Sequence, residues 1–191
     1  LIGGAGADVL DGGNGVWDRA SYENSNAGVR INLTSGTGSG GDAEGDTLVS
    51  IGSLKGSGYD DDIQGNAHSD NSLWGLGGDD RLQGGSAFDY LHGGSGRDTL
   101  EGGGDRDTLE GGMGADILDG GDGDDTAYYL FSEQSVYINL ATGEGRGGEA
   151  EGDTYISIED VMGSYLNNDE IHGDAGDNYL ADKGGDNRLY G

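Results

Sequence analysis

The sequence contains no cysteine and no proline among its 191 residues. The lack of cysteine excludes disulfides, thiol catalysis and cysteine metal sites. Glycine is abundant at 44 residues, but a collagen-like chain would also need proline and a glycine at every third position. No apolar run approaches the length of about 18 residues that a membrane helix needs, and no signal peptide is visible. Because the sequence opens inside a repeat and closes on Gly191, where another repeat would begin, we expect it to be a segment of a longer protein.

Basic residues are scarce: 9 Lys and Arg stand against 37 Asp and Glu, for a formal charge of −28. Such a surface repels nucleic acid and anionic lipid, so neither is expected as a partner. Hydrophobic residues make up only 32% of the chain, which is too little for a thick conventional core. An acidic, disordered segment would show scattered charges. Here Asp recurs at one position of a repeat, which favours an array that binds cations.

The repeat has a period of nine and is clearest over residues 75–128. Six consecutive blocks read GLGGDDRLQ, GGSAFDYLH, GGSGRDTLE, GGGDRDTLE, GGMGADILD and GGDGDDTAY. Each block has Asp at its sixth place, namely Asp80, Asp89, Asp98, Asp107, Asp116 and Asp125. The first five have Leu at the eighth place, namely Leu82, Leu91, Leu100, Leu109 and Leu118. Ala127 takes that place in the sixth block, so we expect a weaker core there.

Each part of the repeat has a physical role. Glycines allow backbone conformations that other residues resist, so the first six residues can form a tight turn whose carbonyls face inward. The last three residues form a short strand whose middle side chain points to the interior. The Asp carboxylate then lies beside those carbonyls, and such hard oxygen ligands suit Ca²⁺. Two consecutive blocks make one coil, which predicts an all-β, right-handed parallel β-roll (a β-solenoid).

Energetic estimates indicate that this coil needs metal. Fixing the backbone of one block costs about 1–2 kcal/mol per residue, whereas burying one Leu per block returns only about 1.5–3 kcal/mol. Stacked coils lie about 4.8 Å apart, so aligned carboxylates repel by roughly 1 kcal/mol in water and by more when they are buried. We therefore expect the metal-free chain to be largely unfolded, with Ca²⁺ as the cofactor that folds it.

The blocks match the pattern G-G-x-G-x-D-x-U-x and resemble the RTX (repeats-in-toxin) calcium-binding nonapeptide family. That resemblance implies ions held between each loop and the next loop but one. The earlier loop supplies its second and fourth carbonyls and its Asp, and the later loop supplies its first and third carbonyls and its Asp. The four implied sites are Leu76, Gly78 and Asp80 with Gly93, Ser95 and Asp98; Gly85, Ala87 and Asp89 with Gly102, Gly104 and Asp107; Gly94, Gly96 and Asp98 with Gly111, Met113 and Asp116; and Gly103, Asp105 and Asp107 with Gly120, Asp122 and Asp125.

Weaker copies of the repeat flank this array. The block at Gly56 would pair its Asp61 with the loop of Asp80, and one residue must bulge because the two blocks are separated by one residue more than two full periods. A good block near the start holds Asp8. Asn178 and Asn187 stand where Asp is expected in the last two blocks, and a neutral amide oxygen is a poorer calcium ligand. Blocks near Gly65 and Gly163 each contain one residue too many.

A longer duplication lies over these repeats, because residues 18–57 match residues 125–164 at a constant offset of 107. Both copies carry V-x-I-N-L and A-E-G-D-T, and their alternating apolar residues suggest short strands. We divide the chain into repeats (1–17), first insert (18–55), main roll (56–128), second insert (129–162) and degenerate repeats (163–191). This layout resembles the RTX domain of the adenylate cyclase toxin. We expect the inserts to extend or cap the roll; the alternative is a ligand-binding face around Tyr22, Tyr129 and Trp17.

No catalytic site stands out in the sequence. Two matches to G-x-G-x-x-G, at 36–41 and 143–148, lack the helix that a dinucleotide-binding fold requires, and the three histidines have no zinc-ligand spacing. We therefore expect a non-enzymatic module. The RTX resemblance implies export through a type I secretion apparatus and folding outside a Gram-negative bacterium, in the medium or at the cell surface. The alternatives are an adhesin or polysaccharide-binding module with a glycan partner, and the non-catalytic tail of a secreted enzyme or toxin.

Overall fold

The computed structural model describes residues 1–15 and 18–191. These residues form 21 short strands and two 3₁₀ segments, Gly41–Ala43 and Gly148–Ala150. The strands are β1 Val9–Asp11, β2 Arg19–Ser21, β3 Arg30–Asn32, β4 Thr37–Ser39, β5 Thr47–Val49, β6 Ser53–Lys55, β7 Asp62–Gln64, β8 Asn71–Gly77, β9 Arg81–Gly85, β10 Asp89–Ser95, β11 Thr99–Gly104, β12 Thr108–Met113, β13 Ile117–Asp122, β14 Thr126–Tyr128, β15 Tyr137–Asn139, β16 Glu144–Arg146, β17 Thr154–Ile156, β18 Asp160–Met162, β19 Glu170–His172, β20 Leu180–Ala181 and β21 Arg188–Tyr190.

Successive blocks of the main array alternate between two sheets. The larger sheet has 13 strands in the order β1-β5-β4-β3-β7-β9-β11-β13-β17-β16-β15-β19-β21, and the smaller has eight in the order β2-β6-β8-β10-β12-β14-β18-β20. Strands of the repeats pair in parallel one coil apart, with Leu82 opposite Leu100 in the larger sheet and Leu91 opposite Leu109 in the smaller. The all-β, parallel β-roll predicted from the period of nine is confirmed.

The core is a column of single apolar side chains between the two sheets. The Leu residues at the eighth place of the blocks are fully buried, and so is Ala127, which stacks between Leu109 and Val161. Because each short strand turns only its middle side chain inward, each block contributes one such residue to this core. The prediction that Leu occupies the interior is therefore confirmed. Residues 1–15 and 18–191 contain no helix with the length and apolar character needed to cross a membrane.

Glycine is required where successive turns approach each other. At Gly103 the backbone has a φ of +119°, a conformation that L side chains resist. A Cβ at this position would lie 1.9 Å from the carbonyl oxygen of Gly85 in the preceding coil. The short rise from coil to coil therefore depends on turns without side chains at such positions.

The two inserts add strands to the interior of the larger sheet. In the first insert β4 runs antiparallel to both β3 and β5, and in the second β16 does the same between β15 and β17. Each insert thus adds a hairpin between two runs of repeats. Within the described residues the end strands of the larger sheet are β1 and β21, whereas β2 of the first insert is an end strand of the smaller sheet. The inserts therefore extend the larger sheet, and a role in capping the roll stays a prediction.

The tyrosines that the inserts share are structural. Tyr22 and Tyr129 are 2% and 1% exposed. The hydroxyl of Tyr22 donates a hydrogen bond of 3.0 Å to Asp46, and that of Tyr129 donates one of 2.5 Å to Asp153. These two residues therefore do not form the exposed ligand-binding face that was the alternative for the inserts. Trp17, the third residue of that face, lies outside the described residues.

Candidate metal centre

The six Asp residues at the sixth place of the blocks form two buried rows along the roll. Asp80 is 2% exposed and the other five are fully buried. Asp80, Asp98 and Asp116 precede strands of the larger sheet, and Asp89, Asp107 and Asp125 lie at the strands of the smaller one. Each block contains one turn and one strand, and successive strands alternate between the two sheets. The aspartates of the first, third and fifth blocks therefore form one row, and those of the second, fourth and sixth blocks form the other. Each loop therefore neighbours the next loop but one, as the repeat predicts.

One carboxylate oxygen of each later Asp accepts a backbone hydrogen bond from the Asp of the coil before it. The N–H of Asp80 donates to Oδ1 of Asp98, and that of Asp98 donates to Oδ1 of Asp116, both at 2.8 Å. In the other row the N–H of Asp89 donates to Oδ1 of Asp107 at 2.8 Å, and that of Asp107 donates to Oδ1 of Asp125 at 2.7 Å. These bonds hold each carboxylate in a fixed orientation.

The second oxygen, Oδ2, of all six aspartates is buried and has no hydrogen-bond partner among the described residues. An unpaired oxygen of this kind is costly unless a cation lies beside it. A Cβ on Gly75 would lie 2.1 Å from Oδ2 of Asp80 and 2.7 Å from the carbonyl oxygen of Gly93. An Asp oxygen of the earlier loop and the first carbonyl of the later loop therefore face the same space.

The same convergence recurs in each of the other three predicted loop pairs. A Cβ on Gly84 would lie 2.2 Å from Oδ2 of Asp89 and 2.7 Å from the carbonyl of Gly102. Gly93 faces Asp98 and the carbonyl of Gly111, and Gly102 faces Asp107 and the carbonyl of Gly120, at 2.3 to 2.7 Å. Carboxylate and carbonyl oxygens are the ligands that Ca²⁺ prefers, so the residues present fit calcium.

Burial raises the pKa of these carboxyl groups, and neighbouring carboxylates raise it further. The pKa of Asp80 rises to about 8, because the group is desolvated and because the charges of Asp61 and Asp98 lie near it. For the same kind of reason, the pKa of Asp107 rises to about 7 and that of Asp98 to about 6. Ionisation of these carboxyl groups at neutral pH is therefore unfavourable unless a cation compensates their charge.

The carbonyl donors implied by the RTX resemblance lie on the turns between these aspartates. The carbonyls of Leu76 and Gly78, at the second and fourth places, point towards Gly94 and Gly96 of the next coil. Leu76 adopts a φ of +85°, a conformation that favours glycine. Among the described residues, no three His, Cys, Asp or Glu side chains are placed to hold a metal together, so carbonyls must supply a large part of any calcium site. The complete ligand sets stay a prediction.

Asp61 differs from the six aspartates of the main array. Its Oδ2 accepts the backbone N–H of Ser57 at 2.5 Å, and its Oδ1 accepts the hydroxyl of Ser57 at 2.8 Å and the N–H of Val29 at 2.7 Å. Protein donors therefore already satisfy this carboxylate, and its role as a calcium ligand stays a prediction. The sequence had not indicated Ser57 as its partner.

Asn71 is a buried member of the row that the sequence reasoning missed. The block at Gly65 has one residue too many, and counting from Gly65 would place Asp70 at the sixth position. The structure places Asn71 there instead: its backbone N–H donates to Oδ1 of Asp89 at 2.7 Å. Its side-chain amide donates to the carbonyl of Ser69 at 2.7 Å and to Oδ1 of Asp89 at 2.8 Å. At this end of the row that contains Asp89, a neutral amide thus stands in place of a carboxylate.

The two asparagines near the end of the chain are also hydrogen-bonded within the protein. Oδ1 of Asn187 accepts the backbone N–H of Asp169 at 2.9 Å, as an Asp of the main array would. Its amide nitrogen donates to the carbonyl of Gly184 at 2.8 Å. Asn178 interacts with Asp174 of its own loop. Both amides therefore have partners, whereas Oδ2 of the buried aspartates has none in the described part of the chain.

Comparison with known families agrees with this geometry. The sequence model of the RTX calcium-binding nonapeptide repeat matches four times, at residues 1–16, 74–109, 92–127 and 166–191. Together these matches cover about half of the chain. A search of curated proteins gives no match. With its repeats, its β-roll and its rows of buried Asp, the chain belongs to the RTX family of calcium-binding nonapeptide-repeat proteins.

Proposed function

We propose that this segment is a calcium-binding module that folds when Ca²⁺ binds outside the cell and supports type I secretion and folding of a larger secreted protein. The observation that carries the proposal is the two rows of buried Oδ2 atoms at the sixth-place Asp of the six blocks, for which the described residues provide no hydrogen-bond partner. In the four predicted pairs of nonapeptide loops, Oδ2 of the earlier Asp faces the first-place carbonyl of the later loop. A divalent cation between the loops would satisfy both oxygens.

The energetics support coupling between binding and folding. Each block buries one apolar side chain, which contributes about 1.5–3 kcal/mol, while ordering its backbone costs about 1–2 kcal/mol per residue. Backbone hydrogen bonds in the ladders add a modest net stabilisation. Because the ions bind only the folded chain, their binding free energy would supply the rest of the stability that the fold needs.

The same coupling suits export through a type I secretion apparatus. An unfolded chain can pass through a channel that a folded roll cannot enter. Calcium affinities of extracellular modules lie near 10⁻⁴–10⁻³ M, so the chain would stay unfolded inside the cell and fold in the medium or at the cell surface of a Gram-negative bacterium. The chemistry of this segment is binding, and we expect it to have no catalytic activity.

Isothermal titration calorimetry on chelator-treated chain tests this proposal. We expect Ca²⁺ to bind at several sites and to saturate them in the range of roughly 10⁻⁴–10⁻³ M. Magnesium, which prefers six ligands at short distances and retains its waters, is the control and should release little heat. Absence of saturable calcium binding, or equal binding of both metals, would refute the proposal.

A second candidate, binding of a glycan at the second insert, is favoured by one surface. Phe131, Tyr165 and Leu166 are 67%, 57% and 76% exposed and line one groove with Leu130. The first insert has Glu23 and Asn24 in place of Leu130 and Phe131, so the apolar character is specific to the second copy. Exposed aromatic rings can stack on sugars. A glycan array would test this: binding by the chain that Phe131→Asn abolishes would support it, and no binding would exclude it.

A further inference from the structure

The row of aspartates continues across the boundary between the main roll and the second insert. The last Asp of the main roll, Asp125, donates its backbone N–H to Oε2 of Glu159 at 3.0 Å. Within the roll, the corresponding N–H of Asp107 donates to Oδ1 of Asp125 at 2.7 Å. Glu159 therefore takes the position in the second insert that the next Asp of a nonapeptide would take, although the insert has no nonapeptide pattern.

A carbonyl of the insert also takes the place of a repeat carbonyl. A Cβ on Gly120 would lie 2.2 Å from the carbonyl oxygen of Ser157 and 2.5 Å from Oδ2 of Asp125. The four loop pairs of the main roll show the same convergence of an Asp Oδ2 and a first-place carbonyl. Ser157 adopts a φ of +48°, a left-handed conformation that is uncommon for a residue other than glycine, and its carbonyl faces this space.

One carboxylate oxygen of Asp125 faces this space and has no hydrogen-bond donor among the described residues. The residue is fully buried, and its Oδ2 has no hydrogen bond within the described part of the chain. Its Oδ1 already accepts the N–H of Asp107. Water has no access to this oxygen, and the nearby carbonyl oxygen of Ser157 and ionised carboxylate of Glu159 cannot donate a hydrogen bond to it. A cation is the partner that such a set of oxygens would accept.

We infer that the second insert completes a further Ca²⁺ site, formed by the carboxylates of Asp125 and Glu159 and the carbonyl of Ser157. This inference rests on the proposed function, because it extends the calcium array by one ion beyond the four sites of the main roll. It gives the insert a binding role: the metal would join the last coil of the roll to the turn between β17 and β18, at the end of the insert. Glu159 is the ligand that no nonapeptide pattern predicts.

The first insert provides a natural comparison. There a Cβ on Gly12 would lie 2.3 Å from the carbonyl oxygen of Ser50, just as a Cβ on Gly120 would lie close to that of Ser157. Ser50 also has a positive φ, of +53°. The residue that corresponds to Glu159 is Gly52. Backbone N–H groups bond in the same way in both copies: Gly52 donates to the carbonyl of Asp18 and Glu159 to that of Asp125, each at 3.2 Å. The loop therefore folds without a carboxylate, and only the second copy has this ligand.

Native mass spectrometry at saturating Ca²⁺ tests the inference on the full 191-residue chain. We expect Glu159→Gln to bind one ion fewer than the wild type, because the amide can still accept the N–H of Asp125 but is a weaker calcium ligand. Glu133→Gln is the matched control: it removes the same charge from an exposed position of the same insert and should keep every ion. Glu159→Gly, which copies the first insert, should also lose one ion.

The outcomes separate this inference from the function on which it rests. If the wild type binds several ions and both Glu159 variants bind the same number, the additional site is wrong while the calcium array stands. Loss of two or more ions in both variants would also overturn it, because it would indicate a general structural role for Glu159. If the wild type binds no calcium at all, the proposed function itself fails. Circular dichroism in calcium verifies that each variant retains its β-structure.

Discussion

Chelation of calcium is expected to convert the chain from a β-roll to a largely unfolded state. Six carboxylates are almost or fully buried in the fold, each with one oxygen that no donor among the described residues satisfies. Ionised groups in such positions cost several kcal/mol each when no counter-charge is present, and the net stability of a domain is only about 5–15 kcal/mol. The metal-free roll should therefore lose most of its order.

Far-ultraviolet circular dichroism during a calcium titration measures this transition. We expect a disordered spectrum in excess chelator and a β-sheet spectrum at millimolar Ca²⁺, with a steep transition because each interior Asp would contact two ions. Titration with Mg²⁺ is the control and should leave the chain disordered. A β-sheet spectrum that persists in chelator, or disorder that persists in millimolar calcium, would contradict the expectation.

Replacement of Asp98 by Ala should remove two ions at once. Asp98 is implied in the site with Asp80 and in the site with Asp116, and its two oxygens have separate surroundings: Oδ1 accepts the N–H of Asp80 at 2.8 Å, while Oδ2 faces the carbonyl of Gly111 across Gly93. Each lost ion removes about 1–3 kcal/mol at calcium concentrations roughly 10 to 100 times its Kd. The unpaired N–H of Asp80 costs about 1–3 kcal/mol more.

Urea denaturation in saturating calcium, together with an ion count by native mass spectrometry, measures both effects of Asp98→Ala. The matched control is Asp122→Ala, because Asp122 is expected to contribute only its backbone carbonyl and its side chain is exposed. That variant should retain all ions and nearly all of its stability. Loss of a single ion by Asp98→Ala with folding intact would count against shared ligands, and an equal loss in both variants would count against the assignment of the carboxylates.

Local periodicity determined most of the main roll from the sequence alone. Leu at the eighth place of five blocks and Asp at the sixth place of all six predicted which side chains are buried, which strands pair and which loops stack on each other; Leu100 and Asp98 occupy those positions. This was possible because every coil has the same neighbours above and below it. A residue's environment therefore repeats with the sequence, and a local pattern suffices to predict a tertiary contact.

Only the tertiary structure decided which groups end these rows. Asn71, and not Asp70, enters the row because the loop takes up its extra residue before that position. Ser57 satisfies Asp61, the hydroxyl of Tyr129 satisfies Asp153, and Glu159 lies beside Asp125 although the two are far apart in the sequence. Sequence spacing could not predict these contacts, because they depend on how the inserts fold and which strand of an insert stacks on the last coil.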